Sequence, residues 1–270
     1  MSNPRISDAP RADAPQADDA RRVMLVSGGT GSIGSVIAAQ ALAAGWRVAL
    51  HGSTTKSLAA ILAGLLASAP AEQRRGFPAD IKQPGAIEHL VAAVGAWAGR
   101  IDAVIDCVST GPANRISGAF ADTEPEGYAA FMALSVVNLQ YLAHAALPWL
   151  KRGGGTLIAF ASDAGRFAAP RQSLIGASRA GIMGFVRNLA TEVARDGVRV
   201  HCISPSFVEA TKTARRLEQA STDRLDKARR RAGLGLPTPA DIAPLVLFLC
   251  SEGARCITGQ VISVNGGLNA

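Results

Sequence analysis

Two stretches of the chain carry residue types that could do chemistry. The first is "VMLVSGGTGSIGSVIAAQAL", in which Ser27, Gly28, Thr30, Ser32, Ile33 and Gly34 lie between an apolar strand-like run and a helical pattern. A glycine-rich turn in that position offers free N–H groups and the positive end of a helix dipole to a pyrophosphate. Gly28 lets the chain turn tightly, and Gly34 lets the helix pack closely on the sheet. The second stretch is "LIGASRAGIMGF", Leu174 to Phe185. It reads as the start of a helix: small residues fill its first turn, and Ile182, Phe185 and Leu189 continue an apolar face at helical spacing. It contains one strong base, Arg179, and no general acid.

The elements that must position these residues follow from the pattern around them. From Val23 onward, the strand-like runs "VMLVS", "WRVALH", "RGFPA", "DAVIDCV", "GTLIAFA", "GVRVHCI" and "QVISV" alternate with helix-length segments. Those segments span Ser32–Ala44, Ser57–Ala67, Pro84–Ala98, Tyr128–Leu150, Leu174–Arg195 and Pro239–Ser251. Such alternation implies right-handed crossovers and a doubly wound parallel α/β sheet of seven strands flanked by helices. The expected organisation is a disordered tail over residues 1–22 and one α/β domain over 23–270. The insertion at about 207–238 follows a strand's carboxyl end and is the expected lid.

Composition narrows the function classes. Apolar content of 48% with few aromatics suits a core of Ala, Val, Leu and Ile. The four cysteines, Cys107, Cys202, Cys250 and Cys256, are scattered, which argues for buried thiols in a reducing compartment over a disulfide or metal framework. No apolar run is read as approaching the ~18 residues that span a bilayer, and the first residues have no apolar core of a signal peptide. A cytoplasmic protein with no membrane or metal role is expected. The net charge of +7 raises nucleic acid as a partner. The excess is local, however, from Lys212 to Arg231, without aromatics for base stacking, so a solvated helical face is expected instead.

The spacing S-G-x-x-x-S-I-G resembles the T-G-x-x-x-G-[IL]-G loop of the short-chain dehydrogenase/reductase family, with Ser27 for Thr and Ser32 for the middle Gly. "PADI", "VVNLQ", "GTLIAFASDAG", "GVRVHCISPSFV" and "ITGQVISVNGG" extend the resemblance over about Val23 to Gly267, with the oxoacyl-carrier-protein reductases most similar. The resemblance implies a Rossmann fold, an adenine-contacting Asp80, an active-site Asn138 and a catalytic Ser162. It places Ser27, Gly28, Thr30, Ser32, Ile33, Gly34, Ser53, Lys56, Asp80, Ile81, Arg179 and Val208 along the cofactor. The Ser32 hydroxyl is expected to donate to the phosphates. A homotetramer paired through the helices starting near Tyr128 and Leu174, and through the carboxyl end, is also implied.

NAD-preferring members carry an acid after the second strand that bonds the ribose 2′-hydroxyl. Here "ALHGSTTKS" has no carboxylate, while Ser53, Thr54, Thr55 and Lys56 offer hydroxyls and a positive charge. NADP(H) is therefore expected over NAD(H); the alternative is that Lys56 merely starts the next helix in solvent. The family's helix after the catalytic Ser begins Y-x-x-x-K. Thirteen residues beyond Ser162 stands Ile175, and four further on Arg179, so "IGASR" fills that position. Ile cannot transfer a proton, and a positioned acid is worth about 10²–10⁴-fold in rate. Arg179 keeps a positive charge suited to ribose hydroxyls but does not release a proton. "DCVS", Asp106 to Ser109, replaces N-N-A-G, and Ala210 stands where a Thr is expected, with Thr211 one place late. Asp163 and Asp106 are the remaining acid candidates, as buried carboxylic acids, although such residues are more often structural hydrogen-bonding carboxylates; His51 and His201 read as structural.

Three readings follow. One is an NAD(P)-dependent oxidoreductase acting on a carbonyl or hydroxyl substrate with a non-standard proton donor. The second is a cofactor-binding pseudoenzyme or partner subunit, and the third a non-redox isomerase or lyase on the same scaffold. The basic insertion suits a small acidic substrate or thioester.

Overall fold

The computed structural model describes residues 21–108, 116–219 and 223–269. Seven parallel strands form one sheet: β1 Val23–Ser27, β2 Arg47–Gly52, β3 Arg74–Pro78, β4 Ala103–Asp106, β5 Thr156–Phe160, β6 Arg199–Pro205 and β7 Val261–Val264. Their order is β3-β2-β1-β4-β5-β6-β7. Strands buried on both faces have no polar side to alternate with, which is why β1, "VMLVS", is almost continuously apolar. Strand order reverses between β1 and β4, so a crevice opens outside their carboxyl ends.

Helices cover both faces. On one lie α1 (Ser32–Ala43), α2 (Thr55–Ala63) and α9 (Pro239–Leu249), burying Ile37, Ala41, Leu58, Ile242 and Val246. On the other lie α3 (Ala86–Ala98), α5 (Asn138–Leu150) and α6 (Ser173–Val193), burying Leu90, Val94, Leu142, Ile182 and Val186. Two short helices, α7 (Lys212–Gln219) and α8 (Arg224–Arg231), occupy the insertion between β6 and α9. Arg22, inside the expected tail, donates to the Cys250 carbonyl at 3.1 Å and lies over the Trp46 ring. Residues 1–20 of that tail fall outside the described residues.

Three readings of the helices change. The segment expected as one helix from Tyr128 is α4 (Tyr128–Met132), a π-helical turn over Ala133–Val137, and then α5. That added residue per turn rotates Asn138 relative to α4, a distortion common at functional sites. Helix α2 starts two residues earlier than expected, because the Thr54 hydroxyl accepts the Ser57 N–H at 3.1 Å and caps it. Finally, the continuous segment Pro125–Leu150 is long and apolar enough to cross a membrane by length and composition, contrary to the expectation that no run is. Its inner side, with Leu139, Leu142, Ala146 and Leu150, is part of the core.

Candidate active site

The phosphate turn is built from backbone. Gly28 has φ +69°, and a Cβ there would stand 2.6 Å from the Cys107 carbonyl oxygen. A Cβ on Gly34 would stand 2.7 Å from the Gly28 oxygen, so α1 reaches the turn only because both positions lack side chains. The Gly28 N–H donates to His51 Nδ1 at 3.2 Å, and the Gly29 N–H to the His51 carbonyl at 2.8 Å. No side chain caps the N-terminus of α1 at Gly31. Uncapped N–H groups above a cradle that any Cβ would fill fit a dinucleotide pyrophosphate.

Around this turn the expected cofactor residues are partly rearranged. Ile33 packs with the α1 core, Val208 is buried beside it, and Thr30 lies against Gly52. The Ser32 hydroxyl accepts the Lys212 backbone N–H at 3.2 Å, tying the first residue of α7 to the phosphate turn and leaving its O–H to donate. Beside it, Ala210 has φ +57°, a left-handed conformation rare for a residue with a side chain. Thr211 is committed to α7, accepting the Ala214 N–H and donating to the Val208 carbonyl. Ser53 and Lys56 are exposed at the end of β2, with Lys56 in the first turn of α2.

Asp80 is exposed after β3 and accepts the Lys82 N–H at 3.2 Å. Asn138 begins α5 directly after the π-helical turn. Its amide donates to the Ile81 carbonyl at 3.2 Å and holds the loop carrying Asp80.

At the reaction end, Ser162 follows β5, and its hydroxyl accepts the Ala164 N–H at 3.4 Å. The turn Asp163–Gly165 rests on α6: a Cβ on Gly165 would stand 2.6 Å from the Ala180 nitrogen, and one on Gly176 would stand 2.8 Å from the Ala164 oxygen. This packing brings the Ser162 turn to the part of α6 that carries Ile175 and Arg179. Arg179 donates to Ser135 in the π turn at 2.9 Å, and burial lowers its pKa from the ordinary value while the nearby Asp106 opposes that. Burial pushes the Asp106 carboxyl up to about 6, against the Val108 N–H, the Arg179 charge and the Ser27 hydroxyl. Ser109, the last residue of "DCVS", lies outside the described residues.

Asp163 is not available as an acid. Its carboxylate accepts from Ser204 at 2.9 Å, Ser263 at 2.8 Å and Asn265 at 2.5 Å, so it knots the ends of β5, β6 and β7 together. Neither tyrosine replaces the missing phenol: Tyr128 is bonded to Thr123, and Tyr141 is 52% exposed. Sequence reasoning missed the bracing role of His51, the Lys212–Ser32 tie and Ser135. The only advance signal was positional, since His51 ends a strand adjacent to β1.

Comparison with known proteins matches residues 28–269 to the family model described as enoyl-(acyl carrier protein) reductase. The chain belongs to the short-chain dehydrogenase/reductase family. It is 30% identical to 2-(S)-hydroxypropyl-CoM dehydrogenase 3 of Xanthobacter autotrophicus, covering 92% of this chain and 96% of that one. It is 31% identical to nodulation protein G of a Rhizobium species, with the same coverage. Among solved structures of this family, a short-chain type dehydrogenase/reductase from Mycobacterium ulcerans superposes with a TM-score of 0.84 at 27% identity, over 92% of this chain and 89% of that one. An actinorhodin polyketide ketoreductase variant with NADPH gives a TM-score of 0.82 at 27% identity, over 92% and 97%.

Proposed function

We propose that this short-chain dehydrogenase/reductase is an NADP(H)-dependent oxidoreductase acting on a small carbonyl or hydroxyl substrate, with a proton donor other than a tyrosine. The observation that carries this reading is the phosphate cradle of Gly28, Gly34 and the uncapped α1, linked through Ser27 and Asp106 to Arg179, on whose helix the Ser162 turn packs. The nicotinamide, when bound, supplies or accepts the hydride. Ser162 orients the substrate oxygen by hydrogen bonding, and Arg179, charged and anchored on Ser135, holds ribose hydroxyls. The NADPH bound to the ketoreductase relative supports the cofactor class. Exposed basic residues Lys212, Arg215 and Arg216 on α7 favour an acidic substrate or a thioester of an acidic carrier. Arg229, by contrast, is spent on Glu209, Glu218 and Asp226, which fits a folded insertion better than a nucleic-acid surface. A cytoplasmic location belongs to the same proposal.

Fluorescence titration with NADPH and NADH tests the cofactor assignment, followed by stopped-flow loss of the reduced nicotinamide against a carbonyl panel. NADPH is expected to bind at micromolar or better affinity and more tightly than NADH. Lys56→Glu should weaken NADPH about ten-fold or more while leaving NADH nearly unchanged, because only NADPH carries a phosphate at the 2′ position. Equal weakening of both cofactors would remove Lys56 from the 2′ site.

A cofactor-binding pseudoenzyme is the second reading, favoured by Ile175 in place of a proton donor. Binding without hydride transfer to any carbonyl would select it.

We also propose a homotetramer. The segment Pro125–Leu150 is apolar overall and only partly covered by the rest of the chain, with Tyr141 52% exposed on its outer side. Near the carboxyl end, Leu234 is 92% exposed and Phe248 46% exposed. Two such patches per chain fit two symmetric contacts. Light scattering should give four chains per particle, and a monomer across working concentrations would refute the assignment.

A further inference from the structure

Beneath the phosphate turn runs a row of three polar side chains. Val26 pairs with Leu50, which sets Ser27 beside His51, and Ser27 pairs with Asp106. Residues in register on adjacent strands project to the same face, so His51, Ser27 and Asp106 stand side by side at the ends of β2, β1 and β4. His51 is 3% exposed and Ser27 2%.

The hydrogen bonds fix the histidine. Its Nε2 lies 3.0 Å from the Ala79 carbonyl, which only accepts, so Nε2 carries the hydrogen. Its Nδ1 receives the Gly28 N–H, so the ring is neutral, and burial lowers its pKa below the ordinary value. The Ser27 hydroxyl lies 3.2 Å from Nδ1 and also reaches the Asp106 carboxyl. It has one hydrogen for two acceptors.

Two arrangements satisfy the row. With Asp106 ionised, Ser27 donates to the carboxylate, and Nδ1 keeps only the Gly28 N–H. With Asp106 protonated, the carboxyl O–H donates to Ser27 Oγ, and the serine hydrogen turns to Nδ1. The two differ by one proton taken from solvent, and no other bond forms or breaks. Among the described residues, the groups facing Asp106 are Arg179 from α6, the Val108 N–H, the adjacent Cys107, whose thiol burial keeps protonated, and uncharged Ser27 and Ala159 from β1 and β5.

We propose that Asp106 is a positioning residue whose protonation, passed through Ser27 to His51, makes the phosphate turn bind a dinucleotide more tightly than when Asp106 is ionised. Both effects act in the same direction. A neutral Asp106 removes a negative charge from beneath the turn that takes an anionic cofactor, and the serine hydrogen then competes with the Gly28 N–H for the single Nδ1 lone pair, leaving that N–H freer to donate to an anion. This rests on the cofactor reading given above. Affinity is full below the Asp106 midpoint of about 6 and falls as pH rises through it.

The test uses NADH, because the 2′-phosphate of NADPH itself titrates near pH 6. By fluorescence, the NADH dissociation constant of the full chain should rise about five-fold or more from pH 5 to pH 8. In Asp106→Asn it should be flat and low throughout; in Ser27→Ala the step should shrink. In the cofactor-free protein, the ¹⁵N shift of His51 Nδ1 should follow the same midpoint without the ring gaining charge. A pH step that persists in Asp106→Asn, or a silent His51, overturns the proposal. Binding without any pH step overturns it alone, whereas no dinucleotide binding at any pH overturns the cofactor reading with it.

Discussion

Ile175→Tyr together with Arg179→Lys is expected to raise turnover on a simple carbonyl substrate by one or more orders of magnitude. A positioned general acid is worth about 10²–10⁴-fold, equivalent to about 3–5 kcal/mol of barrier, and position 175 now offers only hydrocarbon. The backbone is already in place: the Gly165 and Gly176 contacts press the Ser162 turn onto α6 beside this residue. Both changes are needed. A lysine ammonium near a phenol stabilises the phenolate and lowers its pKa, whereas the Arg179 guanidinium is broad, held by Ser135, and would crowd the ring. Ile175→Tyr alone should therefore gain less. Ser162→Ala should depress whatever carbonyl activity exists, in the parent and in the double variant. The measurement is single-turnover oxidation of NADPH. No gain from the double variant, with Ser162→Ala silent, would show that this crevice is not an impaired carbonyl reductase, and the pseudoenzyme reading would lead.

Asp163→Ala is expected to produce the largest loss of stability among single changes at the site. The carboxylate is 2% exposed and serves Ser204, Ser263 and Asn265 together. Removing it leaves three donors, two of them on buried residues, with no acceptor in a space too apolar to compensate them. Each such orphan costs about 1–3 kcal/mol, so a total of roughly 3 kcal/mol or more is expected. Urea unfolding should show the midpoint falling at unchanged slope. Asp163→Asn should recover part of the loss, since its amide oxygen still accepts from one or two partners. A change below about 1 kcal/mol would mean that water or a side-chain shift replaces the carboxylate.

The fold was legible because its signals are local or periodic. Strands such as "VMLVS" are apolar because both faces are covered, and helices between successive parallel strands leave few ways to order the sheet. Element ends were less legible. One hydroxyl, Thr54, moves the start of α2, and a single π turn at Ala133–Val137 breaks a pattern whose hydrophobic period barely registers it. The site divided along the same line. The phosphate turn is encoded in eight consecutive residues and could be read directly. Asp163 could be read as a hydrogen-bonding carboxylate, but not what it bonds, because its partners lie 41, 100 and 102 residues away. The second role of Ser32 was hidden in the same way, since its lid partner lies 180 residues on. His51 looked merely structural until strand register set it next to Ser27 and Asp106.

The Asp163 knot also imposes an order on how the molecule comes into being. Asn265 is made 102 residues after Asp163, and at about 5–20 residues per second a ribosome needs roughly 5–20 s to cover that distance. For the last part of that interval the carboxylate has only the Ser204 donor from β6 and none from β7, so the end of β5 closes fully only when Ser263 and Asn265 arrive. The phosphate turn, by contrast, finds His51 within the first fifth of the chain. The nascent protein can thus assemble its nucleotide cradle early, while the surface around Ser162 takes shape only when the last strand is laid down.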